Sequence, residues 1–163
     1  MDVAAALLPH EERVRPEWID YNGHLNLAYY VVIFDHCVDA LFDRIGIGLD
    51  YRKRDELGTF AAETHTVYER EVKEGDLLRI VPHVLATDAK RMHLFLEMFH
   101  AEDGFRAATQ EILYLHVDLK IRRVAPWPPH VQARIDALAA HRAGQPVPAG
   151  VGRHVTMPER KKP

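Results

Sequence analysis

At 163 residues the chain fits one domain with a sizeable core, and its 47% apolar and 28% charged residues are ordinary for a soluble globular protein. The net charge of −3 gives no global pointer to nucleic acid. The lone Cys37 excludes an internal disulfide and any multi-cysteine zinc site.

The apolar run Val3 to Leu8 is too short to span a membrane and follows Asp2 rather than a basic cluster, so neither a membrane anchor nor a signal peptide is expected, and the expected location is cytoplasmic. Residues 9–18 end in Arg15-Pro16-Glu17-Trp18 and predict a short first strand. A polar loop, Asp20-Tyr21-Asn22-Gly23-His24-Leu25-Asn26, follows it. Next comes a greasy helix running from Leu27 to Ile45, with Asp35, Asp39 and Asp43 as one acidic stripe and apolar residues over most of the remaining circumference. That pattern predicts a helix buried on nearly all sides, ended by Gly46 and Gly48.

From about residue 58 the period changes to two. Strands are expected over 60–72, 77–85, 91–99 and 112–119, joined by Gly75-Asp76, by Thr87 to Lys90 and by Glu102-Asp103-Gly104. Short connectors imply an antiparallel meander, and Pro82 implies an edge or a bulge in its strand. After Pro126-Trp127-Pro128-Pro129, a short helix is expected over about 128–143, with Val131, Ile135 and Leu138 on one face. The domain is thus expected to occupy 1–144. Residues 145–163, with basic Arg153, Arg160, Lys161 and Lys162, are expected to form a flexible tail. The order of elements describes an α+β domain, a long helix wrapped by an antiparallel sheet of about five strands.

The eleven histidines include no H-x-x-x-H or H-E-x-x-H pair, so no metal is expected. The chemistry concentrates in Asp20, Asn22, His24 and Asn26, four polar side chains at alternate positions directly before the helix. Capping the helix would require one or two of them, not four, and would not require Gly23.

This loop resembles that of hotdog-fold thioesterases. Asp20-x-x-Gly23 ahead of a long helix, with the Gly75-Asp76 turn, is similar to 4-hydroxybenzoyl-CoA-type thioesterases. The fuller Asp20-x-Asn22-x-His24-x-Asn26 run is similar to plant acyl-ACP thioesterases. The segments Pro16 to His24, Asp88 to Arg91 and Leu115 to Leu119 look most like the betainyl-CoA thioesterases of carnitine breakdown. Related sequences also occur fused behind carnitine dehydrogenase domains, and no such domain is expected in these 163 residues. The resemblance implies hydrolysis of a short polar acyl-CoA, with CoA as part of the substrate and no separate cofactor. It also implies a homodimer whose sites draw on both chains, with no nucleic-acid or membrane partner.

Thioester hydrolysis needs a polariser for the carbonyl and a carboxylate that attacks it or activates water. The amides from Gly23 to Leu25 are expected to hold the thioester oxygen, aided by the positive end of the helix. Asp20 is expected to be nucleophile or general base; Asn22 is expected to position the carbonyl or the carboxylate, and His24 to donate to or protonate the leaving thiolate. Asn26 is expected mainly as the helix N-cap, with substrate contact as the alternative. Trp18, Tyr21 and Tyr29 are expected to hold a trimethylammonium group on their faces, with Glu63 as a second carboxylate, whereas Tyr30 and Phe60 are expected in the core. Lys90 and Arg91, with Arg122 and Arg123, are the expected phosphate partners of CoA. Cys37 is expected to be a buried hydrophobe. Two other functions share these ingredients, a hotdog hydratase or dehydratase acting on acyl-CoA and a non-catalytic acyl-CoA-binding module. The first is disfavoured because Ile19 to His24 lacks the G-D-x-N-P-x-H context.

Overall fold

The computed structural model describes residues 2–157. Its elements are α1 (Val3–Ala6), β1 (His10–Arg13), α2 (Leu27–Ile45), α3 (Leu49–Asp55), β2 (Leu57–Tyr68), β3 (Leu77–Thr87), β4 (Arg91–His100), β5 (Arg106–Asp118), β6 (Arg123–Val124) and α4 (Pro129–Arg142). One antiparallel sheet, ordered β1-β3-β4-β5-β2 with β6 added to β5, curls around α2 in the hotdog arrangement. No described helix is long and apolar enough to cross a membrane.

The alternation in the strands works as the period-two pattern requires. Leu78, Ile80 and Val84 of β3 and Met92, Leu94, Leu96 and Met98 of β4 are almost fully buried. They meet Ile33, Phe34, Cys37, Val38, Leu41 and Ile45 of α2 in one core. Burial pushes the Cys37 thiol up to about 12, so it behaves as a hydrophobe. Pro82 lies beyond the last β1 pairing, His10 with Ile80, so its missing N–H breaks no ladder bond on that side. α4 buries Val131, Ile135 and Leu138.

Several expectations change. The first strand spans only His10–Arg13, because Pro16 has no N–H for a ladder and instead opens a 3-10 turn to Trp18. α3 was not foreseen, since Tyr51 is its only buried side chain and one apolar residue makes no period. β2 ends at Tyr68 rather than Val72 because the Glu69 and Arg70 N–H groups both donate to the Ala107 carbonyl, which closes the ladder.

α2 is not covered on nearly all sides. Leu27 is 65% and Val31 38% exposed, and Ala28, Asp35 and Asp39 share that open face. Phe60 likewise leaves the core for the surface, 51% exposed on edge strand β2. The tail is not wholly free either. The Gly152 N–H donates to Glu111 at 2.7 Å, Arg106 donates to the Ala149 carbonyl at 2.8 Å, and Gly150 sits over Phe95, so 149–152 fold back onto the sheet. Arg160, Lys161 and Lys162 lie outside the described residues.

Candidate active site

The loop before α2 is a closed hairpin turn. Ile19 bridges Leu25, the Asp20 N–H donates to the His24 carbonyl at 3.0 Å, and the Gly23 N–H donates to the Asp20 carbonyl at 3.0 Å. Gly23 stands at φ +81°, where a Cβ would add strain, and this left-handed residue lets the chain reverse in so few positions. One oxygen of the Asp20 carboxylate accepts the Asn22 N–H at 2.8 Å, a local bond that aspartate makes readily. The other oxygen is left to whatever enters the cleft.

Two further bonds dock the turn on the body of the protein: the Leu25 N–H donates to the Val72 carbonyl at 2.9 Å, and the Asn26 N–H to the Trp18 carbonyl at 2.9 Å. Asn26 then caps α2, its side chain accepting from the Ala28 N–H at 3.0 Å. The Leu27 N–H, at the first position of the helix, has no acceptor among the described residues.

Asp20, His24, Leu25 and Leu27 form one wall of a cleft of about 330 Å³, and the other wall is Tyr30 together with Tyr68, Glu69, Arg70 and Glu71 at the end of β2. His24 Nε2 lies 3.0 Å from a Glu71 carboxylate oxygen. The Tyr68 hydroxyl donates to the Leu27 carbonyl at 3.2 Å, and its ring meets that of Tyr30 edge-on at 5.2 Å. Glu69 is held in two bonds, at 2.7 and 2.9 Å, by Arg106, which also binds Glu97. The Tyr30 phenol is raised by burial above its ordinary value and stays protonated at neutral pH.

Of the residues expected from sequence, the structure brings Asp20, His24 and Leu25 into the cleft and leaves the others out. The Gly23 and Leu25 amides are both spent on backbone carbonyls, which leaves the His24 amide and, at the helix start, the Leu27 amide without an acceptor among the described residues, both in residues that line the cleft with Asp20. Asn22 is exposed and contributes its backbone N–H to Asp20, with no side chain in the cleft. Asn26 serves the helix as N-cap, not the cleft.

The expected aromatic set also disperses. Trp18 and Tyr29 stack on each other at 5.5 Å, Arg15 covers Trp18, and Tyr21 is 98% exposed. Tyr30, one position and about 100° further around the helix than Tyr29, lies in the core as expected, 4% exposed, and borders the cleft from behind Tyr68. Tyr68, Glu69, Arg70 and Glu71 were missed. The signal was present as charges interrupting the end of an otherwise regular strand.

Glu63 lies in mid-β2 opposite Leu113 and lines a different cleft with His65, His93 and Glu111. Lys90 and Arg91 are at the far end of the sheet. Arg91 pairs with Leu115 of β5, whereas Tyr68 pairs with Ala108, and seven strand residues separate these by about 23 Å. Arg91 is further occupied by Asp88, at 2.6 Å. Arg123 lies in β6 opposite Asp118, and Arg122 precedes it, at that same end. Among the described residues no cluster of three or more His, Cys, Asp or Glu side chains suits a metal.

Comparison with known proteins identifies the family. Residues 14–135 match the family model described as the thioesterase-like superfamily. The Pseudomonas aeruginosa protein named betainyl-CoA thioesterase is 42% identical over 96% of this chain and 98% of its own. The Rhizobium meliloti L-carnitine dehydrogenase/betainyl-CoA thioesterase is 34% identical over 95% of this chain, which matches 31% of that longer protein. A Staphylococcus aureus protein of solved structure, in complex with CoA, superposes with a TM-score of 0.87 at 29% identity, covering 93% of this chain and 96% of the other. A carboxylate beside an open helix amide, on this fold and with these relatives, places the chain in the thioesterase-like superfamily as a thioester hydrolase.

Proposed function

We propose that the chain hydrolyses betainyl-CoA to the free acid and CoA, and so acts in carnitine catabolism in the cytoplasm. The observation that carries the reading is the Asp20 carboxylate, anchored through one oxygen only, lining a cleft beside the unpaired Leu27 amide. The relative named betainyl-CoA thioesterase, matched end to end, supports the acyl group.

In this reading the thioester oxygen sits at the Leu27 N–H, where the helix end stabilises negative charge as the carbonyl becomes tetrahedral. The free Asp20 oxygen either attacks the carbonyl carbon or takes a proton from the attacking water. In the first route the C–S bond breaks to leave a mixed anhydride on Asp20, which water then hydrolyses to release the acid. In the second, water attacks directly. Either way the departing thiolate needs a proton, and His24, oriented by Glu71, is the nearest carrier. No group beyond these and water is required, so CoA enters only as part of the substrate. Label in the Asp20 carboxylate after a single turnover in ¹⁸O-water identifies the first route, since only water that opens the anhydride at the Asp20 carbonyl leaves its oxygen there.

The same reading takes the active form as a homodimer. β2 is an edge strand with its outer side unpaired, and Phe60, Ala61, Ala62, Val31 and Leu27 leave apolar surface open along it and along α2. Antiparallel pairing of two β2 edges about a two-fold axis puts the Gly58 end of one copy against the Tyr68 end of the other. That arrangement carries Lys90, Arg91, Arg122 and Arg123 toward the partner's cleft, where they can meet CoA phosphates, and leaves Glu63 near the two-fold axis, about midway between the two clefts.

A panel of acyl-CoA esters with thiol detection tests the substrate. Betainyl-CoA is expected to give the highest kcat/KM. Release of thiol from long or aromatic acyl-CoA in preference to betainyl-CoA contradicts the reading, as does loss of enoyl absorbance without free thiol.

A further inference from the structure

The betainyl group is short. Its quaternary nitrogen is two bonds from the carbonyl carbon, so whatever recognises the charge must sit within a few ångströms of the point that Asp20 and the Leu27 amide act upon. This excludes Trp18 and Tyr29, stacked on each other outside the cleft, Tyr21, turned to solvent, and Glu63 of the same chain.

The cleft itself supplies what a trimethylammonium requires. Tyr68, 45% exposed, leaves ring surface open beside the cleft, and Tyr30, only 4% exposed, backs it edge-on with the two rings 79° apart. The Tyr68 ring is fixed by its hydroxyl's bond to the Leu27 carbonyl, one residue's backbone away from the amide that would hold the thioester oxygen. Of the nearby charges, Glu69 is matched by Arg106 in two bonds. Arg70 lies with its guanidinium 3.8 Å from the centre of the Phe105 ring. Glu71, 60% exposed and held only by His24, is the carboxylate still able to face a cation. The cleft, of about 330 Å³, has room for a small acyl group and the end of the pantetheine thiol.

We infer that Tyr68 and Glu71, with Tyr30 packed behind the Tyr68 ring, form the seat for the trimethylammonium of the acyl group and set the preference of the enzyme for a cationic over a neutral substrate. This rests on the betainyl-CoA reading above and adds the residues that choose the substrate.

The test compares betainyl-CoA with 3,3-dimethylbutanoyl-CoA, the neutral ester of the same shape in which carbon replaces the quaternary nitrogen. For the unmodified protein the ratio of kcat/KM values is expected to favour betainyl-CoA by about 10-fold or more. Tyr68→Leu and Glu71→Gln are each expected to lower that ratio, by about 2- to 30-fold for one cation–aromatic or charge contact. Tyr68→Phe keeps the ring but releases it from the Leu27 carbonyl, and is expected to keep more of the ratio than Tyr68→Leu. Taking the ratio cancels any general effect of Glu71→Gln on His24 or of Tyr68→Leu on the turn. A ratio near one in the unmodified protein, or a ratio unmoved by both substitutions while betainyl-CoA is still hydrolysed, overturns the seat and leaves the substrate reading standing. No thiol release from betainyl-CoA at all overturns both.

Discussion

Two histidine-bearing segments stand at opposite ends of this molecule, and they differ in every physical respect that separates chemistry from scaffolding. His24 belongs to a turn at the amino end of α2, partly exposed, with its ring paired only to exposed Glu71. His116 in β5 is fully buried. Its Nδ1 donates to the Ala125 carbonyl at 2.8 Å, since a carbonyl can only accept, which leaves Nε2 to accept the Tyr51 hydroxyl at 2.8 Å. Trp127 covers the ring with centroids 4.3 Å apart. Both segments, Ile19 to Asn26 and Leu115 to Leu119, stand out in the sequence as polar residues among apolar ones. What distinguishes them is satisfaction. Every polar group of the His116 knot is bonded inside the protein, whereas in the Asp20 turn one carboxylate oxygen and the Leu27 amide have no protein partner among the described residues.

That contrast can be broken at either end. The largest effect is expected from Asp20→Ala, which should lower kcat/KM for betainyl-CoA on the order of 10²-fold or more while removing only the Asn22 N–H contact from the fold, about 1 kcal/mol of stability. Thiol-release assays and urea unfolding on the same preparation check both halves.

His116→Leu should do the reverse. It leaves the Tyr51 hydroxyl and the Ala125 carbonyl buried without partners, and about 3 kcal/mol is expected to be lost in urea unfolding, while folded protein retains turnover. The acid response sharpens this. Burial holds His116 below its usual value, so the unfolded chain takes up a proton there near pH 6.5 while the folded protein resists it. Stability from this ring is therefore complete above about pH 6.5 and drains away as the pH falls below that. The gap between the original protein and His116→Leu is expected to narrow from pH 7.5 to pH 5.5, and a constant or widening gap would falsify the neutral-ring assignment.

The smallest effect is expected at Asn26→Ala, where loss of the N-cap should cost about 1 kcal/mol with activity kept within a few-fold, placing Asn26 with the scaffold although it sits in the motif. A drop comparable to that at Asp20 would return Asn26 to the substrate.

Local signals made the fold readable. The unbroken apolar run from Leu27 to Ile45 and the alternations around Leu78, Leu94 and Leu115 carry their own periods, and Gly46 ends α2 in the left-handed region as a glycine there should. Asp20 was readable because four polar residues exceed what one cap can use. The opposite wall was not. Tyr68 to Glu71 reach Asp20 only because β2 pairs with β5 in a particular register, and a pairing between distant segments leaves no mark on either one. Tyr30 is in the core as its place in the apolar run implies, but Tyr29 stacks on Trp18 instead of lining the cleft: adjacent helix residues differ by about 100°, and which one faces the cleft depends on how the helix is rolled against the sheet. The open side of α2 was not legible because Leu27 and Val31, apolar but exposed, look the same in sequence as apolar residues that enter the core.

The most direct measurement is thiol release from betainyl-CoA by Asp20→Asn. The amide keeps an oxygen to accept the Asn22 N–H, so the turn and the affinity for CoA should be those of the original protein, and only the negative charge is gone. The account predicts unchanged thermal unfolding, unchanged CoA binding and a loss of turnover on the order of 10²-fold or more. Turnover near that of the original protein would contradict it.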